Sequence, residues 1–521
     1  MRLSNSRLIL IKFGALIGVL SQLLWLLANG WDEALVRLPL GLIAGGLAFG
    51  LLGELAAALF RLKGRDFWID LGHFKSFLGK PLAIKIISAA FLVFVAGVLY
   101  GWVAYSGKIC PYSIMKETED FLFGDHRLSL FEKLANDLDL TPYRHLVKYK
   151  TNPSQGRHFR ELEGLPLAPE RKKPLVYFSP QAPKGFRLIQ GAFCFQDNRF
   201  GVILLNPNGR VVRTWKISQD DVPWESRSDA NVFCHGLAIS PDGSLYIGFD
   251  LGSALLKYDW CGNLVWRLPG SFDHSIAFED ASSFWVWGNG GPTQPSGSRM
   301  VKVDAKTGKI LKSINLDQVM DANPDIDIMG IRQLDGETKS DWVGHGGGPW
   351  HPNDVEPLTA ELASHYPGFQ AGDLLVCLRS LNLIFVMDQK NLRIKWWRQG
   401  VARRPHDPDW NTRGTITIYN NNMHRGYSSI VELDPRNYES KVLVQGQAYN
   451  FYSPIRGKHQ LLPNGDILIT SSQQGRVFEL DKTGKVTFEF INRFNEDHHN
   501  LLVSEAVFLP QNYFKDLPQC N

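Results

Sequence analysis

The sequence predicts an all-β six-bladed β-propeller, preceded by three transmembrane α-helices and a short helical linker. Three observations predict this arrangement. The chain begins with three apolar runs, a hairpin pattern recurs six times after Lys184, and a strand that begins with histidine precedes most copies of the hairpin. The expected domains are a membrane anchor (1–105), an amphipathic helical segment with an extended linker (106–184) and the propeller (185–521).

Each apolar run is about as long as the ~20 residues that cross a bilayer as a helix. The runs cover about residues 8–28, 38–60 and 83–105. Lys and Arg are concentrated before the first run and between the second and third. This bias predicts a cytoplasmic N-terminus, an anchor in the inner membrane and, in a bacterium, a periplasmic propeller. Lys12 and Glu54 within the runs are interpreted as reaching toward the near membrane surface, with a contact to another membrane subunit as the alternative.

Charge and cysteine content exclude several classes of function. The chain has 56 Lys and Arg against 52 Asp and Glu, a formal net charge of +4 without a basic stripe, which argues against nucleic-acid binding. The six cysteines are scattered and include no CxxC pair, which argues against a zinc knuckle or a dense disulfide framework. One or two disulfides remain compatible with an oxidising compartment, and the pairs considered are Cys194–Cys234 and Cys110–Cys520.

The hairpin repeat decides the fold. Each copy is an apolar strand that ends on Asp or Asn, a tight turn that usually holds Gly or Asn, and a second strand. The copies begin at Val202, Leu255, Val301, Ile384, Ile430 and Val477. An inner unit that begins with histidine precedes most copies, at His235, His274, His351, His406 and His459. Two hairpins make a four-stranded blade, and six blades make a propeller. The first blade lacks its own inner strand, which the segment from His498 onward is expected to supply, closing the ring.

The histidines carry the predicted chemistry. The innermost strands of a propeller line its central channel, so five of them that begin with histidine predict a ring of imidazoles around one axis. Asn353 lies two residues beyond His351 and faces the same way, and Arg379 ends the next strand of that blade. A guanidinium beside imidazole and carboxamide donors fits a tetrahedral oxyanion such as sulfate or phosphate. An imidazole can also act as a nucleophile and form a covalent intermediate.

Two other interpretations of the same residues, a structural role and metal binding, stay open. Any one histidine, His235 and His459 above all, can be a turn residue bonded to a carbonyl of a neighbouring blade. A metal on the axis is a further alternative. Asp354, Asp407 and Asp409 are interpreted instead as turn caps or as residues that orient histidines, so no metal and no cofactor are predicted.

Several short phrases follow one another at blade spacing. They are Asp273-His274, His351-x-Asn353-Asp354, Gly372 to Arg379, Trp396-Trp397 followed by His406-Asp-Pro-Asp-Trp, Tyr419-Asn420-Asn421, and Leu462-Pro-Asn-Gly with Gly475-Arg-Val-Phe-Glu479. Taken together and in this order, the region from about 272 to 495 resembles the arylsulfotransferase (arylsulfate sulfotransferase) family of periplasmic six-bladed propellers.

The resemblance implies transfer of a sulfuryl group from an aryl sulfate to a phenol, without an adenylyl-sulfate donor. His406 matches the histidine that forms a transient sulfohistidine. His351, Asn353 and Arg379 match the residues that hold the sulfuryl oxygens and stabilise charge during transfer. His274 matches a histidine that exchanges a proton with the phenolic oxygen.

The chain departs from the family pattern in two places. It has Asn420-Asn421 where the family usually has Asp-Asn, so a carboxylate is missing, and it has Pro405 where relatives often have Gln. The predicted catalytic residues are His406, His274, His351 and Arg379, and the predicted substrate-binding residues are Asn353, His459 and His235.

The leading hypothesis is therefore a membrane-anchored periplasmic enzyme that moves a sulfuryl group from an aryl sulfate to a phenolic or hydroxyl acceptor. The alternative is a non-catalytic propeller subunit or scaffold of a membrane or envelope complex, with the lipid bilayer and another membrane or envelope protein as partners. A quinone-dependent dehydrogenase propeller is disfavoured, because such folds usually need eight blades and the repeat gives six.

Overall fold

The chain divides into two compact units, residues 1–111 and 112–521. The computed structural model describes residues of the second unit only. The described residues are 147, 151, 153, 156–169, 171–195, 200–217, 221, 233–250, 254–270, 272–288, 299–329, 350–423, 425–495, 499–515 and 517–520.

The membrane part of the predicted fold class is corrected. No helix within these described ranges is long and apolar enough to cross a membrane. The runs predicted as transmembrane helices, 8–28, 38–60 and 83–105, lie outside the described residues, as does nearly all of the predicted amphipathic segment 111–149. The described residues form two short α-helices, α1 (Leu316–Ala322) and α2 (Ala360–Ala363).

The described residues form 26 strands. In chain order they are β1 (Arg160–Glu161), β2 (Leu175–Phe178), β3 (Gly185–Ala192), β4 (Phe200–Leu205), β5 (Val211–Ile217), β6 (Phe233–Ile239), β7 (Leu245–Asp250), β8 (Ala254–Tyr258), β9 (Leu264–Pro269), β10 (Phe272–Asp280), β11 (Ser283–Gly288), β12 (Arg299–Asp304), β13 (Ile310–Asn315), β14 (Pro352–Pro357), β15 (Leu374–Leu378), β16 (Leu383–Met387), β17 (Ile394–Gln399), β18 (His406–Trp410), β19 (Ile416–Asn420), β20 (Ser429–Leu433), β21 (Ser440–Gln445), β22 (Lys458–Leu461), β23 (Ile467–Ser471), β24 (Arg476–Leu480), β25 (Val486–Ile491) and β26 (Val503–Pro510).

These strands form six antiparallel blades, which confirms the predicted propeller. Blade 1 has the order β26-β3-β4-β5, and blades 2 to 6 follow as β6–β9, β10–β13, β14–β17, β18–β21 and β22–β25. The sheets of blades 2 and 3 are joined by one pairing between Phe249 and Phe272. The innermost strands contact one another in the order β26, β6, β10, β14, β18, β22 and back to β26.

The C-terminal strand closes the ring as the sequence predicts. β26 pairs antiparallel with β3 and so supplies the inner strand of the first blade. The other end of the propeller extends into the segment predicted as linker. There β2 pairs with the outer strand β25 of blade 6, and β1 pairs with β2.

The apolar strands are explained by the packing of one blade on the next. All five residues of β15, Leu374–Leu378, are buried. Leu374 and Val376 pack in a cluster with Trp285 of blade 3, whereas Leu375 and Cys377 pack in a cluster with residues of blade 5. Alternate side chains of a strand point to opposite faces, so a strand with a blade on each side is apolar throughout.

The predicted turn chemistry is present at the hairpins. Asp304 Oδ1 accepts a hydrogen bond from the backbone N–H of Thr307 at 2.7 Å, and Asp481 Oδ1 accepts one from Thr483 at 2.8 Å. The glycines that follow in these turns, Gly308 and Gly484, have positive φ. The Asp at the end of the strand thus caps the turn, and the glycine permits its backbone conformation.

Neither of the two cysteine pairs considered from the sequence forms a disulfide. Cys520 is bonded to Cys261, which lies in the turn between β8 and β9, and the buried residues Cys194 and Cys234 form no disulfide. Cys110, the other predicted partner of Cys520, lies outside the described residues. The bond ties the tail that follows β26 to blade 2.

Candidate functional site

Four of the five histidines that mark inner strands meet at one end of the channel. The ring of His274 lies centrally, with its centroid 4.3 Å from the ring of His235. The same centroid is 5.8 Å from the ring of His406 and 6.0 Å from the ring of His351. His351 is half-buried and the other three are buried. These four side chains are called the histidine cluster below.

A local irregularity in each of four consecutive inner strands brings these side chains together. The register of the ladder shifts between Cys234 and Leu237 in β6, between Asp273 and Ile276 in β10, between Pro352 and Asp354 in β14, and between His406 and Asp409 in β18. A β-bulge bends its strand and re-aims one side chain, and bulges are common beside active sites. The same device is therefore used in blades 2 to 5.

The backbone around the cluster is strained. His274 has a φ of 66°, His351 a φ of 45° and Asp407 a φ of 51°. For residues other than glycine this left-handed region costs on the order of 1–3 kcal/mol each and persists only where the surroundings enforce it. Such strain at neighbouring positions of three blades marks this end of the channel as a site with a specific geometry.

His459 does not join the histidine cluster. Its strand, β22, pairs with β23 without a register shift. The imidazole Nδ1 lies 2.9 Å from Asp407 Oδ2, and the backbone N–H of His459 donates to the same oxygen at 2.5 Å. The residue predicted to bind substrate is thus held by a carboxylate of the next inner strand.

The hydrogen bonds of His406 fix its tautomer. Nδ1 lies 2.6 Å from Asn421 Oδ1 and 3.3 Å from the carbonyl oxygen of Arg404. The amide nitrogen of Asn421 donates to the carbonyl oxygens of Ser453 (2.7 Å) and Arg456, so its oxygen must face the ring. Both neighbours of Nδ1 are acceptors. The proton of the neutral ring therefore sits on Nδ1, and the lone pair sits on Nε2.

The surroundings keep His406 neutral. Burial lowers the pKa of His406 well below its usual 6.5, and electrostatic interactions with His274, Arg379, His235 and His351 lower it further. A neutral imidazole with a directed lone pair is the form that can attack an electrophile.

Asn353 is turned toward the strand that bears His406. Its Nδ2 donates to the carbonyl oxygen of Pro405 at 2.8 Å, while its buried Oδ1 has no hydrogen-bond partner. One hydrogen of the amide nitrogen remains for a ligand. Asn353 therefore both positions the residue before His406 and offers a donor beside the cluster.

Arg379 supplies positive charge without a carboxylate partner. It begins a 3₁₀ turn, Arg379–Leu381, directly after β15. Among the ion pairs of the described residues, none involves Arg379. Its Nη2 contacts Met423 Sδ at 3.7 Å, and its buried Nε has no hydrogen-bond partner. Burial, followed by the charges of Arg404 and Arg456, lowers its pKa from 12.5 to about 10, so it remains charged at neutral pH. A charged guanidinium without a carboxylate partner can bind an oxyanion.

Lys458 lies beneath the cluster and was not predicted from the sequence. Its Nζ donates to Ser275 Oγ at 2.6 Å and to Asp354 Oδ2 at 3.1 Å, and it is paired with Asp407 Oδ1 at 2.8 Å. Each contact is the residue directly after a predicted site residue, namely His274, Asn353 and His406. Although burial lowers the pKa of Lys458, the carboxylates Asp354 and Asp407 raise it well above its usual value. The sequence did contain a signal for this contact, because Lys458 directly precedes His459 at the start of a predicted inner strand.

Residues 235–493 match the family described as Arylsulfotransferase (ASST). The propeller belongs to this arylsulfotransferase family. The match begins at His235 and contains the whole histidine cluster, Asn353 and Arg379. It confirms the resemblance found in the sequence.

No curated protein matches the chain significantly. Among solved structures, a protein of unknown function from Bacteroides caccae has a TM-score of 0.40 at 12% identity, covering 63% of this chain and 99% of that one. A streptogramin B lyase has a TM-score of 0.35 at 12% identity, with coverage of 64% and 98%. TolB from Acinetobacter baumannii has a TM-score of 0.38 at 11% identity, with coverage of 63% and 67%. At these TM-scores and sequence identities, the solved structures support no conclusion about the function of this chain.

Family membership and the propeller fold support a sulfotransferase-like function. For an arylsulfotransferase, the family implies aryl sulfates and phenols as substrates.

Proposed function

We propose that the protein transfers a sulfuryl group from an aryl sulfate to a phenolic or hydroxyl acceptor through a covalent intermediate on His406. The observation that carries the proposal is the bond from His406 Nδ1–H to Asn421 Oδ1 at 2.6 Å. It leaves the Nε2 lone pair for the sulfur atom. Arg379, the nearby guanidinium without a carboxylate partner, supports binding of an anionic donor.

In the first half of the proposed reaction, His406 Nε2 attacks the sulfur and the bond between sulfur and the aryl oxygen breaks. The departing phenolate takes a proton from the imidazolium form of His274, whose ring lies 5.8 Å from that of His406 between centroids. His406 becomes a sulfohistidine with its Nδ1–H still bonded to Asn421. The guanidinium of Arg379, with His351 and the free amide hydrogen of Asn353, holds the sulfuryl oxygens during transfer.

In the second half, the acceptor replaces the released phenol. Its hydroxyl gives its proton to neutral His274 as its oxygen attacks the sulfur, and the bond between sulfur and Nε2 breaks. His406 returns to the neutral state with the proton on Nδ1, and His274 is protonated again. Every proton and bond is thus accounted for, and no adenylyl-sulfate donor is needed.

The test uses a chromogenic aryl sulfate with an excess of phenol, together with intact mass after brief exposure to the donor. The expected results are release of the aryl alcohol and one added sulfuryl group, both lost in His406→Ala. His365→Ala, at an exposed histidine in the loop after α2, is the matched control and should behave as wild type. Absence of release, or release that persists in His406→Ala, contradicts the proposal and favours a non-catalytic propeller.

The pH dependence of adduct formation gives a second readout. Because the pKa of His406 is held well below 6.5, the nucleophile stays neutral as the pH falls through 6.5. The rate of adduct formation should therefore begin to fall only at a pH below 6.5. A rate that already falls at higher pH on the acid side contradicts the proposed neutral nucleophile.

The proposal also includes the compartment. The bond between Cys261 and Cys520 supports an oxidising environment, because disulfides persist in secreted and periplasmic proteins and are rare in the cytosol. We therefore propose a periplasmic propeller. Thiol labelling of protein isolated from the periplasmic fraction under denaturing, non-reducing conditions should leave these two cysteines unlabelled.

A further inference from the structure

His459, which the proposed reaction does not use, has one ring nitrogen in a hydrogen bond and the other buried without a partner. Its side chain is fully buried, with a relative exposure of 0%. Nδ1 lies 2.9 Å from the carboxylate of Asp407, which can only accept when ionised, so Nδ1 carries the proton. In the neutral ring Nε2 then carries a lone pair, and it has no hydrogen-bond partner. An unpartnered buried nitrogen of this kind is uncommon and needs an explanation.

The atom nearest to this lone pair in the described ion pairs is Asp409 Oδ2, at 3.8 Å from Nε2. That separation is too long for a hydrogen bond. It does fit an ion between the two atoms, because bonds of about 2.0–2.2 Å from nitrogen and from oxygen to a metal together span this gap at a wide angle. One donor atom from each of Asp407, Asp409 and His459 lies within 4.8 Å of the others.

The charge of the channel favours a cation at this point. Lys458 is paired with Asp354 and Asp407. Within the described part of the chain, no lysine or arginine forms an ion pair with Asp409, Glu356 or Glu505, which belong to three of the inner strands. Asp409 has 24% of its side chain exposed, so the position can be reached from solvent.

We propose that the channel below the histidine cluster binds one divalent transition-metal cation, of the zinc class, between His459 Nε2 and the carboxylate of Asp409. Asp407 holds the imidazole from the opposite side through Nδ1, the usual arrangement in which a carboxylate orients a metal-bound histidine. An imidazole donor suits Zn²⁺ better than Mg²⁺ or Ca²⁺, which prefer oxygen ligands alone. Water completes the coordination on the exposed side.

The site is separate from the nucleophile but shares its strand. His406, Asp407 and Asp409 all belong to β18, so a bound ion fixes the strand that carries His406. Metal binding is measured without any sulfuryl transfer, so failure of this proposal and failure of the proposed reaction are distinguishable.

The test is a titration of the metal-free full chain with Zn²⁺, by calorimetry and by metal analysis after dialysis. Wild type should bind one equivalent at this site, and Asp409→Asn and His459→Gln should weaken that binding at least about tenfold. His365→Gln controls for zinc on an exposed histidine and should not change it. Far-UV circular dichroism checks that each variant is folded. Asp409→Asn decides alone if His459→Gln does not fold, since Asp409 Oδ2 lies 3.8 Å from His459 Nε2, beyond hydrogen-bond distance.

The competing outcome of the titration is that zinc binds at the histidine cluster and not between His459 and Asp409. The titration is therefore repeated with His406→Gln, which leaves His459 and Asp409 intact. Loss of the zinc in His406→Gln with retention in Asp409→Asn assigns the ion to the cluster and overturns the proposal. No stoichiometric binding by wild type overturns it as well, as does tighter binding of Ca²⁺ than of Zn²⁺.

Discussion

At the scale of single residues, the amide of Asn421 orients the ring of His406. The carboxylate missing from the family's usual Asp-Asn falls at Asn420, whereas Asn421 matches the Asn of that pattern and presents an oxygen to His406 Nδ1. It can do so because two backbone carbonyls, of Ser453 and Arg456, accept from its nitrogen and fix the orientation of the amide. The absence of negative charge also agrees with the low pKa of His406, since a neighbouring carboxylate would raise it.

This arrangement predicts the effect of Asn421→Leu. The substitution keeps the size of the side chain but removes the acceptor, so the proton of His406 is no longer held on Nδ1. We expect kcat for aryl sulfate turnover to fall by roughly 10²–10⁴-fold, the range typical of a disturbed acid–base group. The measurement is steady-state turnover with formation of the sulfuryl adduct as a second readout. Thermal unfolding is the control, and unchanged turnover in a folded variant contradicts the role given to Asn421.

At the scale of elements, one lysine holds four inner strands at the level of their bulges. Lys458 begins β22 and contacts β10, β14 and β18 through Ser275, Asp354 and Asp407. The strained residues His274 and Asp407 lie at or next to these contacts. The contacts therefore help to enforce backbone conformations that the residues would not adopt alone.

Lys458→Met is predicted to destabilise the propeller strongly. Methionine fills much of the space but leaves Asp354 and Asp407 buried without their cation. Removing one partner of a buried pair costs about 3–5 kcal/mol, and we expect the free energy of unfolding in urea to fall by this amount. Lys173→Met is the matched control. It breaks a solvent-exposed pair with Glu163, 2.8 Å long, whose loss should leave the free energy of unfolding nearly unchanged. Equal losses in the two variants contradict the role of Lys458.

At the scale of the whole molecule, the ring depends on a strand from the far end of the chain. β26 pairs with β3 along nearly its whole length, and its removal would leave β3 as an open edge beside blade 2. The bond between Cys261 and Cys520 then ties the tail beyond β26 to blade 2. Closure and tether are separate contributions, and truncation distinguishes them.

Two truncations test this closure. A chain that ends after Pro510 keeps β26 but loses the disulfide and the packing of Tyr513 and Phe514, so we expect a folded propeller that is less stable by at least about 2–4 kcal/mol. A chain that ends after Leu502 loses β26 and should not yield a soluble, cooperatively unfolding protein. Soluble yield and chemical unfolding under non-reducing conditions are the measurements. A stable protein that ends after Leu502 contradicts the proposed closure.

The number of blades, the turns and the closing strand could be predicted from the sequence because they rest on local patterns. The alternation of side chains along a strand, the turn residues and the repeat spacing are local sequence features, and they recur in every blade. The convergence of His274, His351 and His406 follows from strand position and was also predicted. The sequence could not predict that His459 lies apart from the histidine cluster, because this depends on a bulge that occurs in β18 and not in β22.

By itself the sequence determined the propeller and the residue types that surround its axis. Only the tertiary structure decided which of those residues meet. Ladder register places four imidazoles together, directs the amide of Asn421 toward His406 and pairs Lys458 with two carboxylates. The disulfide partner of Cys520 was decided in the same way. The physical reason is that these contacts join different blades, whose relative positions are set by the packing of whole sheets and not by the pattern within any one strand.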